Sequence, residues 1–335
     1  MSGVALQLTR LLADPATPPD VRDWTAILSC ARAESLGGTL AFRLQGQALP
    51  AEVERLMEDA RRASGTVRTE ALWEAEMARR ALAPLGLPVI LLKGTAYAAA
   101  SLDAAQGRSI GDLDILVPRA ALPKVEQALL AAAWEWVKED AYDDAYYRRW
   151  MHELPPLIHR ARDKMIDVHH TILPLTARPK PDAEALIADS MPLEDGLRML
   201  SPADMVIHAA AHLLADGDLA GGLRNLWDID RLLRQFAAAD AAFWQALHAR
   251  AKRHHLLPAL HRAGRLANDL YATPVPESWR VWDGADPLFK ARLLARDGWG
   301  RATRRPLRFG FYVRSHALRM PLPMLARHLW TKARR

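Results

Sequence analysis

The chain has a single cysteine, Cys30, in 335 residues. That excludes an intramolecular disulfide and any zinc site built on cysteine pairs. Long apolar runs are missing too: a stretch such as ALLAAAWEWV falls well short of the roughly 20 residues that span a bilayer. The opening, MSGVALQLTRLLADPATPPD, lacks the basic region, continuous apolar stretch and small-residue cleavage site of a secretory signal. The expectation is a cytoplasmic protein, with peripheral contact at the inner membrane surface as an alternative. No G-x-x-x-x-G-K-[ST] or G-x-G-x-x-G occurs, so P-loop and dinucleotide-fold readings have no support. There is no internal repeat, glycine- or serine-rich linker or low-complexity tract.

Hydrophobic residues make up 50% of the chain and charged residues 25%, ordinary values for a globular protein long enough to bury a sizeable core. The net charge of +6 and a pI near 9.6 favour anionic partners: nucleotides, nucleic acid or an acidic membrane surface. Arginine far outnumbers lysine and alanine is abundant, as GC-rich coding alone would give, which weakens the charge argument.

Three regions follow from the change in pattern. Residues 1–83 have apolar positions at helical spacing, with Pro50 near the start of a long helix and Gly86 after its end. Residues 84–195 form a mixed α/β unit. LPVILLKG reads as a buried strand stopped at Gly94, and TAYAAASL as a helix just beyond it. SIGDLDILV reads as a strand and PRAALPKVEQALLAAAW as a helix, with EWVKE as a further strand candidate. LPPLIHR and MIDVHHTIL are two short strands joined by a polar turn. Residues 196–335 return to helix, with Ser201 as N-cap, Pro202 first and Asp204 third in SPADMVIHAAAHLL, and end in a basic tail.

The motif GRSIGDLDILV sets Asp112 and Asp114 two positions apart on a strand, where residues i and i+2 share a face. Leu113, Ile115 and Val117 would face the core while the two aspartates point together the other way, with Cα atoms roughly 6.5–7 Å apart. Such a pair is either a solvated strand edge or a seat for a divalent cation, which one or two carboxylates with substrate phosphates and water typically hold. Three neighbours favour the cation. Lys93 and Gly94 stand at a strand-to-turn junction where backbone and ammonium can meet phosphate. Arg108 offers a fork-shaped phosphate donor. MIDVHH supplies Asp167 and His169 on the outward face of a second strand, with Ile166 and Val168 inward.

These residues resemble a family. Lys93-Gly94, a short helix, Arg108, GDLDILV and a later Asp-x-His strand are similar to the bacterial uncharacterised nucleotidyltransferase family of the DNA polymerase β-like superfamily. The HAAAH…LRNLWDIDRLL segment resembles its helical half. The likeness spans roughly residues 70–235. It implies an α+β fold with a small mixed sheet flanked by helices. It also implies magnesium, with manganese as the alternative, and a nucleoside triphosphate, ATP first among them. Carried over, Asp112, Asp114 and Asp167 bind metal and carry the chemistry, while Lys93, Gly94, Arg108 and His169 contact the nucleotide. Where the superfamily has glycine-serine after its first strand, this chain has lysine-glycine, so its triphosphate cradle differs. The implied reaction moves a nucleoside monophosphate onto an acceptor hydroxyl or phosphate on a sugar, lipid-linked or peptide molecule. The alternative is a nucleotide- or RNA-binding module without turnover.

Other candidates have plainer readings beside the functional one. His208 and His212, at i and i+4, are either packed core histidines or lining of the nucleotide site. The glutamate of an H-E-x-x-H zinc site is missing. Asp228 and Arg224 form an i,i+4 ion pair or support the site from behind. His169 is a half-exposed strand histidine or a phosphate- or base-assisting group. His170 is expected to be structural, and His254, His255 and His261 to lie on the surface. From Asp286 onward there are 13 Lys/Arg against 2 Asp, with Trp299, Phe309, Phe311, Tyr312 and Trp330 among them. That is either a solvated arginine-rich surface or a contact for RNA or anionic lipid.

Overall fold

The computed structural model describes residues 3–16, 23–138, 140–194 and 196–319. The chain opens with helices α1 (Val4–Ala13), α2 (Trp24–Ala33), α3 (Gly37–Arg43) and the 32-residue α4 (Ala51–Leu82). α4 starts after Pro50, carries Glu52 and Glu54 in its first turn and Arg79 and Arg80 in its last, which suits the helix dipole at both ends. Gly86, at φ 62°, follows the short 3-10 turn that closes it.

The middle of the chain builds the sheet. Strand β1 (Ile90–Leu91) leads into α5 (Lys93–Ala99), then β2 (Leu113–Leu116), α6 (Leu122–Ala131), β3 (Trp134–Trp136) and α7 (Ala141–Trp150). The hairpin β4 (Leu157–His159) and β5 (Met165–His169) follows, then α8 (Ala183–Ala188), β6 (Met191–Pro192) and β7 (Arg198–Met199). Among the described residues the seven strands run in the order β3-β4-β5-β2-β1-β7-β6. β2 pairs parallel with β5 and β1 with β7, and the other neighbours are antiparallel. The fold is α+β, a mixed sheet with helices around it, as the sequence led one to expect. β6 and β7, two residues each, were not anticipated, because so short a segment shows no alternation.

Helices then return: α9 (Pro202–Ala210), a π-helical turn over Ala211–Asp216, α10 (Gly222–Ala239), α11 (Phe243–Arg253), α12 (Leu257–Tyr271), α13 (Asp286–Leu293) and α14 (Arg305–Arg319). Ser201 caps α9 as its sequence implied, accepting the Asp204 amide at 3.3 Å. Residues 320–335, including Trp330 and the end of the basic tail, lie outside the described residues. Trp299 and Phe309 are 69% and 65% exposed, whereas Phe311 is buried against Phe289. Among the described residues no helix is long and apolar enough to cross a membrane.

One cluster of buried apolar side chains runs from Ala5 to Phe311 and joins both helical regions to the sheet. His254 corrects the sequence reading, which put it on the surface. It is fully buried, its Nε2 lies 3.1 Å from Asp204 Oδ1, and its Nδ1 accepts the Asp182 amide, so it ties α9 to the start of α8. Its partners lie 50 and 72 residues away in sequence, which local pattern cannot show.

The loop before β2 is set by close approach of two glycines. Gly107, at φ 68°, lies so near Gly38 at the start of α3 that a Cβ on it would overlap the Gly38 carbonyl and the Thr39 amide. Gly107→Ala therefore adds left-handed backbone strain to a backbone clash, and should cost roughly 2–5 kcal/mol of stability in urea unfolding. A neutral change would mean the loop is free to move off α3.

Candidate active site

The register of β2 and β5 assembles the site. Asp114 lies directly opposite Asp167, and Leu116 opposite His169. In-register partners point the same way, so Asp114, Asp167 and His169 share one face of the sheet. Asp112, just before β2, joins them: carboxylate oxygens of Asp112, Asp114 and Asp167 all lie within 4.8 Å of one another. The structure thus brings together the three aspartates singled out from the sequence.

Their surroundings differ from the expectation in one respect. Asp112 is exposed and Asp167 half-buried, but Asp114 is only 5% exposed. β2 is buried along its whole length, Leu116 as well as Leu113 and Ile115, so Asp114 is not on a solvent face. The alternating pattern gave the right face; Lys93, the first residue of α5, and His169 lie against Asp114 there. His169 is likewise buried rather than half-exposed.

A buried carboxylate needs partners, and Asp114 has two. Lys93 Nζ donates to Asp114 Oδ1 at 2.7 Å, and His169 Nε2 lies 2.9 Å from the same oxygen. Burial works against the Asp114 charge, but Lys93 and His169 outweigh it and hold the carboxyl well below the usual carboxylate range. Burial likewise opposes the charge on Lys93 and on His169. For Lys93 the pull of Asp114, Asp112 and Glu153 prevails, and for His169 that of Asp114 and Glu153, so both groups titrate above their ordinary values. Lys93 is the first residue of α5 and has φ 47°, a left-handed conformation rare for a side chain of this kind. Such strain is held where the surroundings over-determine it, often at functional sites.

Asp167 behaves oppositely. Burial, then the charges of Glu153 and Asp114, push it up to about 7. Glu153 was not picked out from the sequence. It precedes the hairpin, bridges to His169 through the backbone, and its Oε2 lies 3.4 Å from His169 Nδ1. A fourth carboxylate at the site had no local signal, since it comes from a loop rather than a strand.

Arg108 and Gly94 form one unit. A Cβ on Gly94 would collide with the Arg108 guanidinium, which lies over the Tyr97 ring at 5.6 Å. Arg108 Nε donates to Asp228 Oδ2 at 2.9 Å, and its Nη1 to the Ser109 carbonyl. Asp228 takes Arg224 on its other oxygen at 3.2 Å, so the expected i,i+4 pair is present and also holds Arg108 from behind. Arg224 continues to the Ser35 carbonyl and to Thr39, whose hydroxyl faces the Gly107 carbonyl at 3.4 Å.

His208 and His212 lie near this centre. Burial, followed by the charge of Lys93, lowers both, His212 to about 4, so both are neutral at pH 7. His212 stands in the π-helical turn, a distortion often found at functional sites. His170 is buried, and its amide donates to the His152 carbonyl at 2.8 Å, a structural place as expected. A cleft opens beside Asp112 between α4 and the strands, lined by Val67, Glu70, Thr95, Gly111 and Lys164.

A family profile described as uncharacterised nucleotidyltransferase matches residues 20–272, about three quarters of the chain. The chain belongs to the uncharacterised nucleotidyltransferase family. The match takes in every residue of the centre just described and extends well before residue 70, into the N-terminal helices. Membership in a nucleotidyltransferase family suggests transfer of a nucleoside monophosphate, and the acidic cluster could hold a metal ion. No curated protein matches the chain.

Asp228 is buried and neutralises two buried arginines, so Asp228→Asn should cost about 3–5 kcal/mol in chemical denaturation. Asp167 gives a pH signature. Its folded value of about 7 lies above the unfolded value near 3.9, so the native state holds the extra proton. Stability from this group is complete below roughly pH 4 and is lost as pH rises through 7. Asp167→Asn in chelator should therefore gain stability over wild type as pH rises from 4 to 8. Parallel thermal melts across that range would show an unburdened Asp167.

Proposed function

We propose that the chain is a divalent-metal-dependent nucleotidyltransferase that moves a nucleoside monophosphate from a nucleoside triphosphate to an acceptor hydroxyl or phosphate. The observation that carries this reading is the convergence of Asp112, Asp114 and Asp167 carboxylates within 4.8 Å on one sheet face. The donor set fits a hard cation: all three ligands are oxygens, as magnesium or manganese prefers. The Asp167 carboxyl is pushed up to about 7 by burial and then by the charges of Glu153 and Asp114, and a cation would relieve that repulsion. When bound, the metal supplies charge neutralisation at the α-phosphoryl group and at the departing oxygen.

The chain's own residues do the rest. Asp112 and Asp114 fix the metal's position. Lys93, already beside Asp114, can turn to a phosphate oxygen, a compact ammonium replacing the serine contact of related enzymes. Asp167 accepts the proton of the acceptor hydroxyl as its oxygen attacks the α-phosphorus. The new O–P bond forms while the bond to the bridging oxygen breaks, and pyrophosphate leaves in line. Arg108, held by Asp228 against Gly94, sets the floor of the phosphate site. His169 orients Asp114. ATP as donor, and a sugar, lipid-linked or peptide acceptor, belong to the same proposal, as does a cytoplasmic place. Contact of the basic tail with RNA or anionic lipid is a separate part of it.

Pyrophosphate release from each of the four NTPs, with magnesium or manganese and a panel of acceptors, tests the reading. Asp112→Asn and Asp114→Asn should each lower turnover at least 100-fold, the scale of removing electrostatic stabilisation from a transition state. Turnover that survives both changes would overturn the assignment. NTP binding by calorimetry without any pyrophosphate release would favour the non-catalytic module.

A further inference from the structure

Beside the aspartate trio a second set of side chains converges. His152 and Glu153 lie in the segment before β4, laid along β5 by the Glu153–His169 bridge and by the His170 amide on the His152 carbonyl. Glu153 Oε2 stands 3.4 Å from His169 Nδ1 and 3.7 Å from His152 Nε2. One ligand atom from each of the three lies within 4.8 Å of the others. Zinc binds imidazole nitrogen and carboxylate oxygen at 2.0–2.2 Å, so ligand atoms around a tetrahedral centre sit roughly 3.3 Å apart. The two Glu153 spacings need little closing to reach that, and the two imidazole ligand atoms stand within 4.8 Å of each other.

His169 supplies an independent reason. Its side chain is 3% exposed and its Nδ1 is buried without a hydrogen-bond partner. The approach to Glu153 at 3.4 Å does not make a hydrogen bond. A buried ring nitrogen left so is costly unless it meets a ligand. The other nitrogen of the same ring, Nε2, is held by the Asp114 carboxylate at 2.9 Å. Metal-binding histidines are commonly held in this way, with a carboxylate on one nitrogen fixing the ring while the other faces the metal. The His152 ring lies 5.2 Å from that of His169, and its Nδ1 is also buried without a partner.

We propose that His152, Glu153 and His169 form a binding site for a divalent transition metal of the zinc class, separate from the aspartate trio. Two imidazoles and a carboxylate select such an ion, whereas the all-oxygen trio selects magnesium or manganese. Three protein ligands leave a fourth position for water or substrate. The two centres share a hinge, because the ring that binds the second metal through Nδ1 orients Asp114 through Nε2. The inference stands whether or not the trio performs nucleotidyl transfer.

Cobalt(II) titration of the full chain after chelator treatment tests it, since tetrahedral cobalt absorbs strongly in the visible and octahedral cobalt weakly. Wild-type protein should show one intense band, abolished by equimolar zinc and unaffected by magnesium. His152→Ala and Glu153→Gln should lose the band, the second change being close to isosteric and so guarding against misfolding of the first. Asp112→Asn should keep it. Asp114→Asn, which replaces the carboxylate on Nε2 with a neutral amide, should weaken cobalt binding about 10–100-fold. Absence of an intense band in wild type, or its survival in His152→Ala, would overturn the proposal. So would its loss in Asp112→Asn, which would put the cobalt on the trio.

Discussion

The Asp114 carboxylate, nearly sealed from solvent on a central strand, is the constraint to which the rest of the site answers. Leaving such a charge unpaired would cost several kcal/mol, so the fold must bring cations to it. Lys93 opens α5 just beyond β1, the strand hydrogen-bonded to β2 on one side, and His169 comes from β5 on the other. The Leu92 amide donates to the Asp114 carbonyl at 3.0 Å, which holds the start of α5 close enough for Lys93 to reach. The left-handed backbone at Lys93 is the local cost of turning from β1 into α5 while keeping the ammonium on Asp114.

From this centre the requirement spreads outward. Arg108 is fixed by Asp228 of α10, Asp228 is balanced by Arg224, and Arg224 reaches Ser35 and Thr39 beside the glycine contact that holds the loop before β2. α10 itself is anchored at its N-terminus by Glu34, whose Oε2 accepts the Leu223 amide at 3.0 Å. Glu34 is also held by Arg296 at 2.7 Å. Helices from both ends of the chain thus meet at a loop belonging to the central sheet. This is the physical reason a site confined to residues 93–169 depends on segments far outside that range.

The parts of this arrangement that could be read in the sequence are those with a local period. SIGDLDILV and MIDVHH alternate cleanly, and Gly94 and the Asp163 turn punctuate them, so the strands and the shared face of Asp112, Asp114 and Asp167 were visible. Alternation says which side chains point together; it does not say what covers them. Hence Asp114 and His169 were placed nearer to water than they are, and His254 was put on the surface although Asp204 and Asp182 enclose it. Glu153 escaped for a related reason. Its place is set by a single backbone bridge to His169, and a loop residue with one tertiary contact leaves no mark on the pattern around it.

The charge at the centre explains why so many unlike groups can stand together. Asp112, Asp114, Asp167 and Glu153 face Lys93 and His169, an excess of carboxylate even when the histidine is protonated. The fold resolves part of that excess by leaving Asp167 protonated up to about pH 7. The neighbouring His208 and His212 are buried near Lys93 and stay neutral, so they add no positive charge to offset the carboxylates. A cation placed on the trio would favour release of the Asp167 proton, because the attraction it adds acts on the same charge that Asp114 and Glu153 repel. Binding of charge and availability of a base are therefore coupled through one residue. That coupling suits the proposed group transfer: the positive charge that would steady the transferred phosphoryl group also favours the ionised carboxylate that would take the proton.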